Sequence, residues 1–283
     1  MKVAITGASG LVGKGVILEA LEHTTHELVL IDVREPTERL ERDRVEYVKA
    51  DLRDFKAFYE ALAGVDALVH LAVGGLKGPP PYEDQDLHNN MVVLSYNALQ
   101  AAAKHGMRHV VLASSVNAIG ALFSKDPKYD YFPLDENHPF RPEDGYSVGK
   151  HILEIQAAAF ARRYPDMSIS CLRFHYVSFT RPNLENELDA EVRKDMWAWT
   201  DIRAAGRACM LGLEVEWTGA EAFYIVAPEH CAGEHDALEL AARFYPETKL
   251  ASTMGPKSGF YDCSKAKRML GWEHDGGRMP GQN

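Results

Sequence analysis

Short apolar runs alternate with helix-period stretches along the first half of the chain. Val3-Ala4-Ile5-Thr6 comes first, followed by a helical pattern over 11–23. Leu28-Val29-Leu30-Ile31, Val45-Glu46-Tyr47-Val48, Ala67-Leu68-Val69-His70-Leu71 and Val110-Val111-Leu112-Ala113 follow, with helical stretches at 55–63 and about 88–105 between them. The runs are short, rich in β-branched residues and mostly apolar throughout, as strands buried on both faces are. Strands alternating with helices require crossover connections, and these make a parallel sheet. The pattern predicts an α/β fold built on a doubly wound parallel sheet.

Two loops interrupt it. GGLKGPPP at 74–81 can be neither helix nor central strand, because its prolines lack a donor and fix φ. The stretch 122–144 carries four prolines and many charges. Past Arg173 the pattern loosens. A strand is expected at 223–227 and helices at 234–244 and 264–270, the last capped by Ser264 and ended by Gly271. This divides the chain into a cofactor-binding domain, 1–173, to which the strand near 223–227 returns, and a smaller substrate-binding part, 174–222 and 228–283. The tail 276–283 reads as frayed.

Composition narrows the class. The 283 residues are 46% hydrophobic and 25% charged, which excludes wholesale disorder. Lys and Arg number 31 against 41 Asp and Glu, a net charge of −10. That balance argues against a nucleic-acid surface and against docking on an anionic membrane. No apolar run approaches the ~20 residues that span a bilayer. The N-terminus enters a strand at once, without a signal-peptide cleavage site, so a cytoplasmic location is expected. Cys171, Cys209, Cys231 and Cys263 lack CxxC spacing, which argues for packed thiols rather than disulfides or a metal site.

The candidate chemistry starts at the first turn. Thr6-Gly7-Ala8-Ser9-Gly10-Leu11-Val12-Gly13 follows a strand and opens a helix, the context a dinucleotide-binding, Rossmann-type turn requires. Gly7 permits the sharp turn, Gly10 the approach of a pyrophosphate and Gly13 close helix packing. The backbone of Ser9 to Gly13 would then offer N–H groups and a positive dipole end to phosphate. Asp32 ends the next strand, where an acid accepts from ribose hydroxyls and repels a 2′-phosphate, favouring NAD over NADP. Arg34 pulls the other way and reads as a solvated charge or an adenine-stacking side chain. Asp51-Leu52 could meet the adenine, and Leu71-Ala72 would pass under the cofactor, with His70 a packed strand residue.

Tyr146-Ser147-Val148-Gly149-Lys150 spaces a phenol and an ammonium one helical turn apart. Such a pair is expected to lower the phenol pKa, so that Tyr146 moves a proton to or from a substrate hydroxyl. Ser115 ends the fifth strand at the carboxyl edge, where ligands bind in open parallel sheets. Its hydroxyl could hold the reacting oxygen, with Asn117 beside it.

Together these strings resemble the extended short-chain dehydrogenase/reductases, the NAD-dependent epimerase/dehydratase group. TGASGLVG at 6–13, Asp32, ADLRD at 50–54, HLA at 70–72, ASSVNAIG at 113–120, DENHPFRPEDGYSVGK at 135–150 and FYDCSKAKRMLGW at 260–272 carry the resemblance. It implies NAD as cofactor and Ser115, Tyr146 and Lys150 as the catalytic set. The family's asparagine on the long helix falls in the region of Asn90-Met91. Where many members have a proline-glycine string, this chain reads Phe174-His175-Tyr176-Val177-Ser178.

Dehydratases of the group carry an Asp-Glu pair after the catalytic residue. Here Val116 and Asn117 stand there, which disfavours loss of water. In size and in these strings the chain is similar to the compact uronate dehydrogenases. A substrate carboxylate would need a cation, for which Arg181 or His175 could serve. The leading expectation is an NAD-dependent oxidoreductase acting on a sugar, sugar acid or polyol-like alcohol. The alternatives are a nucleotide-sugar epimerase that keeps its NAD and a non-catalytic cofactor sensor. The helices at 88–105 and after Tyr146 are apolar nearly all round, which predicts a homodimer through them.

Overall fold

The computed structural model describes residues 1–34, 40, 43–74, 83–189 and 192–275. The first half runs β1 (Lys2–Thr6), α1 (Leu11–His23), β2 (Glu27–Asp32), β3 (Val45–Lys49), α2 (Phe55–Ala61), β4 (Ala67–His70), α3 (Asp84–Lys104) and β5 (His109–Ser115). Then come β6 (Tyr131–Phe132), α4 (Gly145–Arg163), β7 (Ser168–Phe174), β8 (Val177–Ser178), β9 (Thr200–Asp201) and α5 (Ile202–Leu213). The chain continues through β10 (Gly219–Ile225), α6 (Ala237–Phe244), β11 (Lys249–Leu250) and α7 (Ser264–Leu270).

Seven strands form one sheet in the order β10-β7-β5-β4-β1-β2-β3, every neighbour pair parallel. The doubly wound sheet expected from the sequence is therefore present. Alternation along β1 divides the core. Val3 and Ile5 join Val16 and Ala20 of α1 and Ala204, Ala205 and Ala208 of α5 on one face. Ala4 faces the opposite layer, with Leu94 and Ala98 of α3 and Leu153 and Ala157 of α4. The chain leaves β1 toward β2 on one side, while β4 lies on the other. This order reversal opens a crevice at the carboxyl ends, where such sheets bind ligands.

A third cluster lies beyond the carboxyl ends of β5 and β10. Val116 and Val226, which follow those strands, pack with Phe132, Trp197, Leu240 and Phe260. Helix α5 does not join this cluster. It lies on the sheet face against α1, although its residues fall in the span 174–222 assigned from sequence to the smaller part. The crossing is close because glycines meet there: a Cβ on Gly206 would stand 2.3 Å from the Gly15 carbonyl oxygen.

Several boundaries differ from the sequence expectation. Helix α3 starts at Asp84, earlier than 88, with Asp84 and Asp86 in its first turn, where acids favour the dipole. The late strand is Gly219–Ile225 rather than 223–227. Helix α6 starts at Ala237, because the Asp236 carboxylate caps it by accepting from Leu238 N. Ser264 is not the cap of α7. Cys263 holds that position and the Asp262 carboxylate accepts from Ser264 N at 2.8 Å, while Gly271 ends the helix at φ 68° as expected. Of the loop at 74–81, only Gly74 is among the described residues, and the tail 276–283 lies outside them. No helix among the described residues is long and apolar enough to cross a membrane. The four cysteines are unpaired, three of them buried.

Candidate active site

The turn after β1 is built to leave backbone exposed. Gly7 sits at φ 67°, and a Cβ there would come 2.9 Å from Ala72 N at the end of β4. Helix α1 starts from Gly10 without a side-chain cap, which leaves its first-turn N–H groups for an anion. Gly13 makes its close approach to the turn itself, since a Cβ would meet Ala8 O at 2.6 Å. Asp32 closes this cradle by accepting from Ser9 N at 3.1 Å and Arg34 N at 3.0 Å. The Arg34 side chain is 71% exposed and 3.7 Å from Asp32.

Two cavities of about 850 and 440 Å³ share Leu71 and Val73, so they form one cleft across the switch point. The smaller is lined by Gly7, Gly10, Asp32, Arg34, Asp51, Leu52 and Ala72. Val12 reaches the larger, whereas Leu11 is 42% exposed and lines neither. Asp51 is held by Arg53, whose guanidinium at 2.5 Å keeps the carboxyl below its ordinary range. His70 is buried and neutral, bonded to Thr6 Oγ1 at 2.8 Å, and burial drops its pKa to about 3. Asn90 ties down the neighbouring strand end by donating to Val73 O at 2.9 Å and Gly74 O at 2.5 Å.

The larger cavity brings Ser115, Tyr146 and Lys150 together. Asp144 caps α4 by accepting from Ser147 N at 2.9 Å, which sets Tyr146 in the first turn. Ser115 caps the short turn Val116–Ile119, accepting from Asn117 N at 3.1 Å. It is thus both a cap and a member of the site. Lys150 is 2% exposed and donates to Ala113 O at 2.5 Å, with its ammonium 5.7 Å from the Tyr146 ring centre.

The expected lowering of the phenol pKa by Lys150 does not appear. Burial pushes Tyr146 up, the Ser115 hydroxyl pulls it down, and the Asp144 charge pushes it up again. The lysine is itself lowered to about 8 by burial, opposed by Glu154 one turn away. Glu154 in turn is gripped by Arg173 and by Ser114 Oγ at 2.6 Å.

Of the three expected substrate contacts, Asn117 and His175 line this cavity and Arg181 does not. Asn117 Oδ1 accepts from Leu122 N at 2.9 Å. His175 is not the cation expected. Its Nδ1 accepts from Tyr176 N at 2.7 Å and burial drops its pKa to about 4. Arg181 pairs with Glu229 at 3.2 Å, donates to His230 O at 2.7 Å and lines a separate cavity beside Trp199. The sequence reading missed Asp84, Phe123, Tyr176 and Asp195, which also line the Tyr146 cavity. They come from loop segments and a helix start with no periodicity to mark them.

Comparison with known proteins agrees with this geometry. The family model "NAD dependent epimerase/dehydratase family" matches residues 3–187. A uronate dehydrogenase of Agrobacterium fabrum is 32% identical over 78% of this chain and 77% of its own length. One from Pseudomonas syringae pv. tomato is 31% identical over 60% of this chain. That match spans 57% of the relative, under two thirds of it. The structure of MoeE5 in complex with UDP-glucose and NAD superimposes with a TM-score of 0.70 at 22% identity, covering 99% of this chain and 95% of that one. That likeness establishes the fold. The family match and the cleft of Gly7, Asp32, Ser115, Tyr146 and Lys150 converge: the chain belongs to the NAD-dependent epimerase/dehydratase family, and NAD is the cofactor of that family.

Proposed function

We propose that the chain is an NAD-dependent dehydrogenase that oxidises an alcohol of a sugar or polyol. One observation carries the reading. Ser115, Tyr146 and Lys150 share a single cavity, and that cavity runs into the cleft at the glycine turn. The first turn of α1 would hold the pyrophosphate, Asp32 the adenosine ribose and Lys150 the nicotinamide ribose. NAD supplies a hydride acceptor when bound. Ser115 would donate to the reacting oxygen and orient the hydroxyl. Tyr146 would take the hydroxyl proton, a general-base role worth about 10²–10⁴-fold. Its raised pKa keeps the phenol protonated at neutral pH, so a positive group beside it must lower that value before it acts as a base. Lys150 is the ammonium placed to do so, by leaving the Ala113 carbonyl.

The test is formation of reduced nicotinamide across a panel of free sugars, uronates, polyols and nucleotide sugars. Net NADH from a free sugar or polyol supports the reading. Interconversion of nucleotide sugars without net NADH would replace it with the epimerase reading. We also infer that two copies associate through α3 and α4. The support is an exposed apolar face on those helices: Val93, Tyr96 and Ile155 are 43%, 49% and 53% exposed.

A further inference from the structure

One wall of the Tyr146 cavity has no part in the chemistry above. The turn Val192–Asp195 ends in Asp195, which lines the cavity with its side chain 31% exposed. Among the described residues its ion-pair partner within 4 Å is His175 Nε2 at 3.8 Å, and that imidazole is neutral. The adjacent Arg193 extends toward Asp126 at 3.8 Å. Burial raises the Asp195 pKa to about 6. A half-buried carboxylate without a cation needs hydrogen-bond donors, and in a binding cavity the ligand can bring them.

The same cavity carries two exposed aromatic rings. Phe123 is 51% exposed and stands edge-on to Tyr146 at 5.4 Å, and Tyr176 is 63% exposed. Flat apolar rings suit the C–H face of a sugar, and a carboxylate suits its hydroxyls. An anionic substrate fares worse. Asp84 and Asp144 line the cavity together with Asp195. Among the described residues that line it, Lys150 is the one cation, and its ammonium is turned to the Ala113 carbonyl.

We infer that the substrate is an uncharged polyhydroxyl compound, a neutral sugar or polyol, and that Asp195 reads its hydroxyls and rejects the acid of the same skeleton. The inference rests on the dehydrogenase reading for the reacting carbon, but its recognition step stands on binding alone. The test uses D-glucose, D-galactose and D-mannose against the corresponding uronates, in the presence of NAD. Turnover and calorimetric binding are both measured, for the wild type and for Asp195→Asn. In the wild type a neutral sugar should exceed its uronate in kcat/KM, and in affinity, by about tenfold or more. Asp195→Asn should raise KM for the neutral sugar, weaken its binding and so shrink that ratio about tenfold. A role confined to structure would move stability and leave the ratio alone. Preferred uronates in the wild type, an unchanged ratio in the variant, or no binding of any neutral sugar would each overturn the inference. Selective binding of a neutral sugar without turnover would sustain it and sink the dehydrogenase reading instead.

Discussion

Arg173 and Glu154 form a two-pronged ion pair behind the active site, with Nε to Oε1 at 2.9 Å and Nη2 to Oε2 at 2.8 Å. The Arg173 side chain is 2% exposed and lies over the rings of Phe140 and Tyr224 at 5.0 and 5.1 Å. Ser114, which lines the cavity, donates to the same carboxylate. Glu154→Gln leaves the guanidinium buried without a counter-charge, and removing one member of a buried pair costs about 3–5 kcal/mol. Urea unfolding should show that loss. The double variant Glu154→Leu with Arg173→Met should cost less than the sum of its two singles, because neither charge is then left alone. Strict additivity would show that the pair is uncoupled.

Tyr146→Phe should lower turnover by about 10²–10⁴-fold while cofactor affinity stays within a few-fold. The phenol oxygen faces Ser115, whereas the glycine turn and Asp32 lie in the other half of the cleft. Titration with NAD, followed by fluorescence, separates the two effects. Activity near the wild-type level would remove Tyr146 from the reaction.

The residues that carried a period or a motif were legible in the sequence, and those that carried only a tertiary relation were not. Val3, Ile5, Leu28, Val69 and Val111 announced buried strands because each run is apolar on both faces. Gly7, Gly10 and Gly13 announced a turn by spacing. Gly15 and Gly206 carried no such mark. Their role exists only where α1 crosses α5, so the helix at 202–213 went unplaced. Asp195 was illegible for a similar reason, since no short-range pattern shows a carboxylate brought to β5 and α4 by a turn eighty residues downstream of Ser115. The expected pKa of Tyr146 failed on energetics: the i, i+4 spacing to Lys150 holds, but burial raises the phenol and the lysine bonds to Ala113 instead.

Asp32→Ala should move cofactor preference toward NADP. The Asp32 carboxylate is fixed at the end of β2 by two backbone donors, Ser9 N and Arg34 N, where a 2′-phosphate would meet it. With the acid gone, the exposed Arg34 guanidinium can pair with that phosphate. The ratio of kcat/KM for the two cofactors measures the shift. A wild type that already prefers NADP would assign the choice to Arg34.

Stability should fall with acid below about pH 6.5. His70 stays neutral in the fold down to about 3 and His175 to about 4, whereas each takes up a proton near 6.5 when unfolded. Between those values the unfolded chain binds more protons, so unfolding becomes easier as pH drops. The stabilising contribution is complete above 6.5 and is lost toward the folded values. Denaturant unfolding from pH 7 to pH 5 should show the slope, and His70→Asn should flatten it whatever its effect at pH 7. An unchanged slope would exclude His70 as a source.

The final prediction concerns assembly. Helix α3 buries Met91, Leu94, Ala98 and Leu99, and α4 buries Leu153, Ala157 and Phe160. Those residues cover the sheet and the seam between the two helices. Val93, Tyr96 and Ile155 stay open to solvent, and Tyr96 rests edge-on to Phe160 at 5.3 Å with half its surface open. Three large apolar side chains on adjacent helices form a face that a two-fold copy would cover with the same residues. Ala158, on the same helix, is half-buried, so a charge there would disturb the monomer as well. Ile155→Glu places the charge on the open face instead. Sedimentation equilibrium at micromolar concentration should find a dimer for the wild type and a monomer for Ile155→Glu, with unfolding unchanged apart from its concentration dependence. A wild-type monomer under those conditions would leave this apolar face without its second copy and refute the dimer.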